Sequence, residues 1–452
     1  MMPSFTTEDK RFYSNVFRLV MPMALQNLIN VGVTSTDVIM LGRVGETALS
    51  GVSLANQIYF ILSLVFFGLT SGACVLTAQY WGKHDTRTIE KVMGMSFRIA
   101  ILAAVVFAAL ALCVPGMLMR IFTTDEAIIG EGVRYLRIVG FSYVLAAFTN
   151  VYLNIIRSIE RVVIATVVYA TSLSVNILLN AIFIFGLFGF PALGAAGAAI
   201  GTLSARAVEA LIVAYYAVKK NDVVRIRIKD IFKRYRWLEK DFFVYAFPVL
   251  LNEIAWGAGM AAISAIVGHL GSASVAAHSV AQVCRQLSMV IAFGVSNATA
   301  IMIGKAIGEK KEALARNYGN RFAKLSLLFG GAGGILILAI SPLVCSMMKL
   351  TPLAKDYLQV MMVIMSYYVI GQSFNSTLVV GVFRAGGDTK FGLFLDVGIM
   401  WLCSIFAAWA GAFILHIPMP WVYIILCSDE VIKIPFSWKR YKSYKWLNNI
   451  TR

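Results

Sequence analysis

Apolar runs of about 20 residues recur along the whole chain, separated by short polar loops. That length is what a helix needs to cross roughly 30 Å of hydrocarbon. Inside a bilayer each backbone N–H and C=O must be paired within the protein, so the chain can span only as helices or as a closed barrel. The ten-residue alternating segments of a barrel are absent. Only 14% of the residues are charged and 59% are hydrophobic, against about 25% charged in a soluble domain. The expected class is an all-α polytopic membrane protein. Reading runs between charged breaks gives about twelve transmembrane helices. Six lie near 15–41, 47–72, 98–119, 137–156, 162–187 and 195–218, and six near 242–267, 273–303, 322–346, 357–383, 391–415 and 417–437.

The formal net charge of +17 would suit a nucleic-acid partner, but the cations gather in the loops of one side. Lys83, Arg87 and Lys91, the stretch "KKNDVVRIRIKDIFKRYRWLEK", Arg384 with Lys390, and the tail "SWKRYKSYKW" all fall there. The opposite loops carry Arg43, the acid-balanced "TTDEAIIGEGVRYLR" and Lys349 with Lys355. The positive-inside rule then expects both termini in the cytoplasm and a multi-pass protein of the cell membrane. The expected partners are the lipid bilayer and small organic molecules, not nucleic acid. The polar start "MMPSFTTEDKRFYSN" does not read as a cleavable signal. Six cysteines without CxxC spacing read as small apolar core residues.

An internal repeat divides the chain. At an offset of 226, Pro22 pairs with Pro248, Gly42 with Gly268, Gly45 with Gly271, Ser53 with Ser279, Gly68 with Gly294 and Gly82 with Gly308. A unit of six spans, an even number, inserts both copies in the same direction. Two six-helix lobes related by a pseudo-two-fold axis along the membrane normal are therefore expected. The boundaries are residues 1–220 for the first lobe, 221–241 for a basic cytoplasmic linker and 242–452 for the second lobe with its basic tail. The linker reads equally as an interfacial amphipathic helix or as an ordinary link drawn to anionic headgroups.

The segments "MPMALQNLINVGVTSTDVIMLGRVG", "SVNILLNAIFIFGLFGFPALGAAGAAIGTLSAR" and "GVFRAGGDTKFGLFLDVGIMW" resemble the multidrug and toxic compound extrusion (MATE) transporters of the MOP superfamily. The likeness runs over nearly the whole chain. It implies a cation-coupled antiporter that exports amphipathic or cationic organic compounds by alternating access, with Na⁺ or H⁺ as the coupling ion and no other cofactor.

Ionisable residues inside the runs carry the chemistry. Asp37 stands where a lipid-facing helix should have no charge, which marks an ion or proton site. Asn176 and Asn180, four apart, share one helix face, and their carboxamide oxygens suit Na⁺ or a protonated acid. In the resembled family these positions adjoin the first-helix acid. The expected coupling site is Asp37, Asn176, Asn180 and Thr202, with Na⁺ at the first three as one option. Some relatives have a second acid where this chain has Asn180. Tyr143 is a further candidate on the fourth span. In the second lobe the candidates for substrate cleft or coupling are Glu253, Arg285, His278 and Asp396. Arg285 is expected to pair with Glu253 or Asp396. Asp429, Glu430 and Lys433 are read as local charge neutralisation near the cytoplasmic face.

No HExxH, GxSxG or phosphate-binding loop occurs, so an enzyme is not expected. Work must come from an ion gradient. The alternative function is a flippase of lipids or lipid-linked oligosaccharides on the same two-lobe plan, which requires a cationic cleft built around Arg285 and His278. Two lobes in one chain make a monomer sufficient.

Overall fold

The computed structural model describes residues 7–348 and 350–452; Lys349, assigned above to an outer loop, lies outside the described residues. No strand occurs among the described residues, as expected for the all-α class. The first half contains α1 (Thr7–Val44), α2 (Glu46–Gly82), α3 (Thr86–Cys113), α4 (Pro115–Arg120), α5 (Glu126–Val139), α6 (Ser142–Ser158), α7 (Val163–Phe185) and α8 (Ala195–Tyr215). A short α9 (Ile228–Phe232) lies in the linker, followed by α10 (Arg236–His269). Then come α11 (Ser272–Ser288), α12 (Val290–Gly308), α13 (Glu312–Met347) and α14 (Pro352–Ser376). The chain ends with α15 (Thr389–Gly398), α16 (Phe406–Phe413), α17 (Met419–Leu426) and α18 (Asp429–Lys442).

Nine of the helices among the described residues are long and apolar enough to cross a membrane, and the pair α5 and α6, bent by 56°, makes a tenth. The expected run at 273–303 is broken at Met289 into α11 and α12, and that at 417–437 is broken at Cys427 into α17 and α18. Large apolar side chains such as Leu102, Leu328, Ile335, Phe394 and Leu402 point outward. On a soluble protein that would be a liability; on a membrane-spanning one it is the lipid-facing surface.

The chain forms two compact units. One holds the chain up to Ala24, Ala78–His84 and Val244–Arg452; the other holds Leu25–Thr77 and Asp85–Phe243. Both α1 and α2 thus contribute to each unit, and α1 changes unit two residues after Pro22. A proline inside a helix removes one i→i−4 hydrogen bond and weakens the rod at that point.

Close approach of helices rests on glycine. In the first unit a Cβ at Gly308 would strike the Gln79 backbone, and the tail residue Trp446, fully buried, abuts Gly386. In lipid there is little hydrophobic drive between helices, so such backbone-to-backbone packing and interhelical hydrogen bonds hold the bundle together. In the second unit Gln26 supplies such a bond. Its amide donates to the Val162 carbonyl at 3.1 Å and to Thr166 at 3.0 Å, while Arg157 donates to its carbonyl oxygen at 3.0 Å. These bonds set the register of α1 against α6 and α7.

The linker is neither a continuous interfacial helix nor a loose link. Asp230 is buried and takes a bidentate pair from Arg87, with Arg87 Nη2 to Asp230 Oδ1 at 2.8 Å; Tyr235 donates to the same carboxylate at 2.7 Å. Burial alone would raise the Asp230 pKa, but these hydrogen bonds and the charges of Arg87 and Arg227 outweigh it and hold the carboxyl below the usual range.

Candidate functional site

The chain cannot leave a carboxylate in a membrane helix without partners, and the second unit supplies them. Asn180 Nδ2 donates to Asp37 Oδ1 at 2.6 Å and to Asn176 Oδ1 at 3.2 Å. The i,i+4 spacing on α7 places both carboxamides opposite the last turns of α1. Asn176 and Asn180 are buried, whereas Asp37 is half-buried and opens on a cavity of about 680 Å³. Asn180 Oδ1 is buried with no hydrogen-bond partner. It abuts Gly201 on α8, where any Cβ would collide with it. Glycine at 201 is therefore what lets Asn180 turn its amide nitrogen toward Asp37.

The cavity wall adds groups that the sequence reading missed. Arg206 and Glu209 line it from the same face of α8 as the expected Thr202, with Asn56 and Tyr59 of α2, Tyr135 of α5 and Tyr169 of α7. Arg206 Nη1 reaches both Glu209 oxygens, at 3.1 and 2.9 Å, and its guanidinium lies 5.5 Å from the Tyr59 ring. The Tyr135 hydroxyl donates to Asn56 Oδ1 at 3.1 Å. The signal for the ion pair was present: "SARAVEA" puts opposite charges three apart in an apolar segment, the spacing at which side chains meet. Of the expected group, Asp37, Asn176 and Thr202 line the cavity, and Asn180 sits directly behind them. Tyr143 is fully buried against the Tyr59 ring at 5.7 Å and is not part of the lining.

The first unit contains a separate set of buried charges. Lys433 Nζ lies 2.9 Å from Asp429 Oδ2, 3.2 Å from Glu430 Oε1 and 3.4 Å from Asp396 Oδ1. Asn375 Nδ2 donates to Glu430 Oε2 at 2.8 Å, and Asn252 Nδ2 donates to Asp396 Oδ2 at 3.3 Å. Asn252 Oδ1 is buried without a partner. Glu253, on the next residue of α10, accepts from Arg384 at 2.7 Å with both side chains buried. Helical turns of wide, π-type pitch at Thr377–Phe383 and Ile399–Ile405 adjoin these groups. Such turns insert one extra residue and re-aim the side chains around them.

The local neutralisation expected of Asp429, Glu430 and Lys433 is present, with Asp396 as a further partner, and the three are buried at 4%, 7% and 3% exposed. Two expectations change. Arg285 pairs with neither Glu253 nor Asp396. Its Nε donates to Gln282 at 2.7 Å and its Nη1 to Gln372 at 2.9 Å, so carboxamide oxygens solvate the guanidinium. Arg384, counted above among the loop cations, is the buried counter-ion of Glu253. His278 shares a hydrogen bond of 3.1 Å with the Tyr423 hydroxyl and packs edge-on against that ring, as a satisfied core histidine.

Comparison with known proteins agrees with this architecture. The MatE family model matches residues 22–182 and 248–410, more than half of the chain, and its two matches begin at the prolines paired by the 226-residue offset. "Uncharacterized transporter YisQ" of Bacillus subtilis is 23% identical over 447 residues, covering 97% of this chain and 96% of that protein. "Probable multidrug resistance protein NorM" of Rhizobium meliloti is 25% identical over 407 residues, covering 87% and 85%. A solved structure described as the outward-facing conformation of a multidrug resistance MATE family transporter of the MOP superfamily superimposes with a TM-score of 0.85 at 20% identity, over 95% of this chain and 96% of that one. The chain is a multi-pass membrane transporter rather than an enzyme, and it belongs to the MatE family.

Proposed function

We propose that this chain is a proton-coupled exporter of amphipathic or cationic organic compounds, acting in the cell membrane with both termini cytoplasmic, and that Asp37 is its coupling group. The observation that carries the reading is the Asn180 Nδ2–Asp37 Oδ1 hydrogen bond at the edge of a cavity of about 680 Å³. A cavity of that volume fits a drug-sized molecule. Its walls join apolar and aromatic surface to one unpaired carboxylate, because Arg206 is neutralised by Glu209. An organic cation and a proton then compete for Asp37. Protonation removes the charge that holds the cation, and loss of the proton restores it, which yields exchange. The names of relatives described as multidrug resistance proteins support this substrate class.

Protons rather than Na⁺ are favoured by the donor set. Asn176 Oδ1 is taken by Asn180, and Asn180 Oδ1 is turned toward Gly201, so Asp37 faces an amide N–H instead of a cage of oxygens. A hard cation requires oxygen ligands. The flippase reading is disfavoured because Arg285 and His278, its required cations, are buried and already hydrogen-bonded.

Efflux of a fluorescent organic cation from proteoliposomes, with pH and Na⁺ gradients imposed separately, tests the proposal. Efflux driven by the pH gradient and abolished in Asp37→Asn is the expected result. Efflux driven by Na⁺ at uniform pH overturns proton coupling, and full activity of Asp37→Asn overturns the site.

A further inference from the structure

The linker has two unlike faces. The inner face is fixed: Val224, Asp230 and Leu238 are buried, and the Asp230 backbone lies against Gly94 of α3 so closely that no Cβ fits there. Glu90 holds the same face, accepting the Arg225 backbone N–H at 3.0 Å and Arg227 Nε at 2.7 Å. Two of the acids near the strap are thereby consumed inside it, and Glu239 is paired with Arg98.

The outer face carries what is left. Ile228 and Phe232 are 71% and 77% exposed, and four residues of spacing puts them side by side. Around them stand the exposed cations Lys229, Lys233, Arg234 and Arg236. The outward acid of the strap, Asp222, is paired with Arg161 at 3.4 Å. The strap follows α8 and the wide helical turn Tyr216–Lys220, which expose Leu211, Tyr215 and Val218 as a lipid-facing surface, and leads into α10 beside exposed Phe243. It therefore runs at the depth where apolar helix surface gives way to headgroups. Bulky apolar tips beside exposed cations complement a leaflet whose surface is negative and whose interior is hydrocarbon.

We propose that residues 225–236 are a docking strap for anionic phospholipid, with Ile228 and Phe232 inserted between headgroups and Lys229, Lys233, Arg234 and Arg236 on lipid phosphates. The clamp of Arg87, Glu90 and Asp230 presents this face and takes up the nearby acids, so that among the described residues Lys233 has only the Tyr235 ring beside it, at 5.5 Å. Anionic lipid thus holds the connection between the two halves of the chain against the membrane.

Amide hydrogen exchange of the full-length protein in nanodiscs tests this. In discs mixing phosphatidylglycerol with phosphatidylcholine, the 225–236 segment is expected to exchange on the order of tenfold more slowly than in phosphatidylcholine alone, and high salt should erase the difference. The variant Lys229→Gln/Lys233→Gln/Arg234→Gln/Arg236→Gln should exchange alike in both discs, because it spares the clamp. Ile228→Ser/Phe232→Ser, at exposed positions, should keep only part of the slowing. Equal exchange of the unmodified protein in both discs overturns the proposal, as does full slowing in the four-fold variant. Slowing by an added oligonucleotide in phosphatidylcholine discs, with no response to phosphatidylglycerol, also overturns it and assigns the face to a soluble polyanion.

Discussion

Replacing Lys433 by methionine keeps most of the length of the side chain and removes its charge. In the structure that ammonium stands within 3.4 Å of three carboxylates, from Asp429, Glu430 and Asp396. Without it, the hydrogen bonds from Asn375 to Glu430 and from Asn252 to Asp396 remain, but no positive charge does. Deleting one partner of a buried ion pair typically costs about 3–5 kcal/mol, because the remaining charge is stranded away from water. That is on the order of a hundred-fold or more in the unfolding equilibrium. Thermal unfolding in detergent at neutral pH measures the loss. Lys433→Met combined with Asp429→Asn and Glu430→Gln removes two of the stranded charges and should recover more than half of it. Equal stability of Lys433→Met and the unmodified protein, or no recovery in the combined variant, would refute the reasoning.

Gly201→Ala drives a methyl group into Asn180 Oδ1; overpacking of this kind costs about 1–3 kcal/mol, and efflux should fall more steeply than stability as the Asn180 amide leaves Asp37. Glu253→Gln removes the carboxylate buried against Arg384 and should lower the thermal melt by more than the pair Glu253→Met/Arg384→Met, in which both charges of the ion pair leave together. Asp230 is held below the usual carboxylate range, so the stability it contributes is present above its ordinary pKa of 3.8 and is lost as the pH falls through the lower folded value. Limited proteolysis of the linker should therefore be unchanged from neutral pH down to about 5 in the unmodified protein, and accelerated throughout that range in Asp230→Asn.

Asp37 and its asparagines were legible because two physical rules converge on them. A carboxylate in hydrocarbon requires partners, and i,i+4 polar residues on an apolar helix point one way. The structure adds the direction of the hydrogen bond and its cause, the absent side chain at Gly201. Arg206 with Glu209 is equally readable from its i,i+3 spacing in an apolar segment. The Lys433 cluster is half-readable: the i,i+4 spacing marks its pair with Asp429, but nothing local marks its burial or its third partner, Asp396. Arg285 was assigned to acids because charge suggests charge. Its partners are Gln282 and Gln372, whose neutral amides give no such signal.

The sequence by itself determined the membrane class, the helical secondary structure and the duplication, since each follows from local demands: backbone pairing in lipid, the length of apolar runs, and a repeat read at a fixed offset. Tertiary structure alone decided which buried charges meet. It set Lys433 against Asp396, Arg384 against Glu253 and the linker's Asp230 against Arg87. Those pairings join residues 37 to 143 positions apart, and the energy that selects them, relief of desolvated charge, depends on distances that no local pattern of residues records.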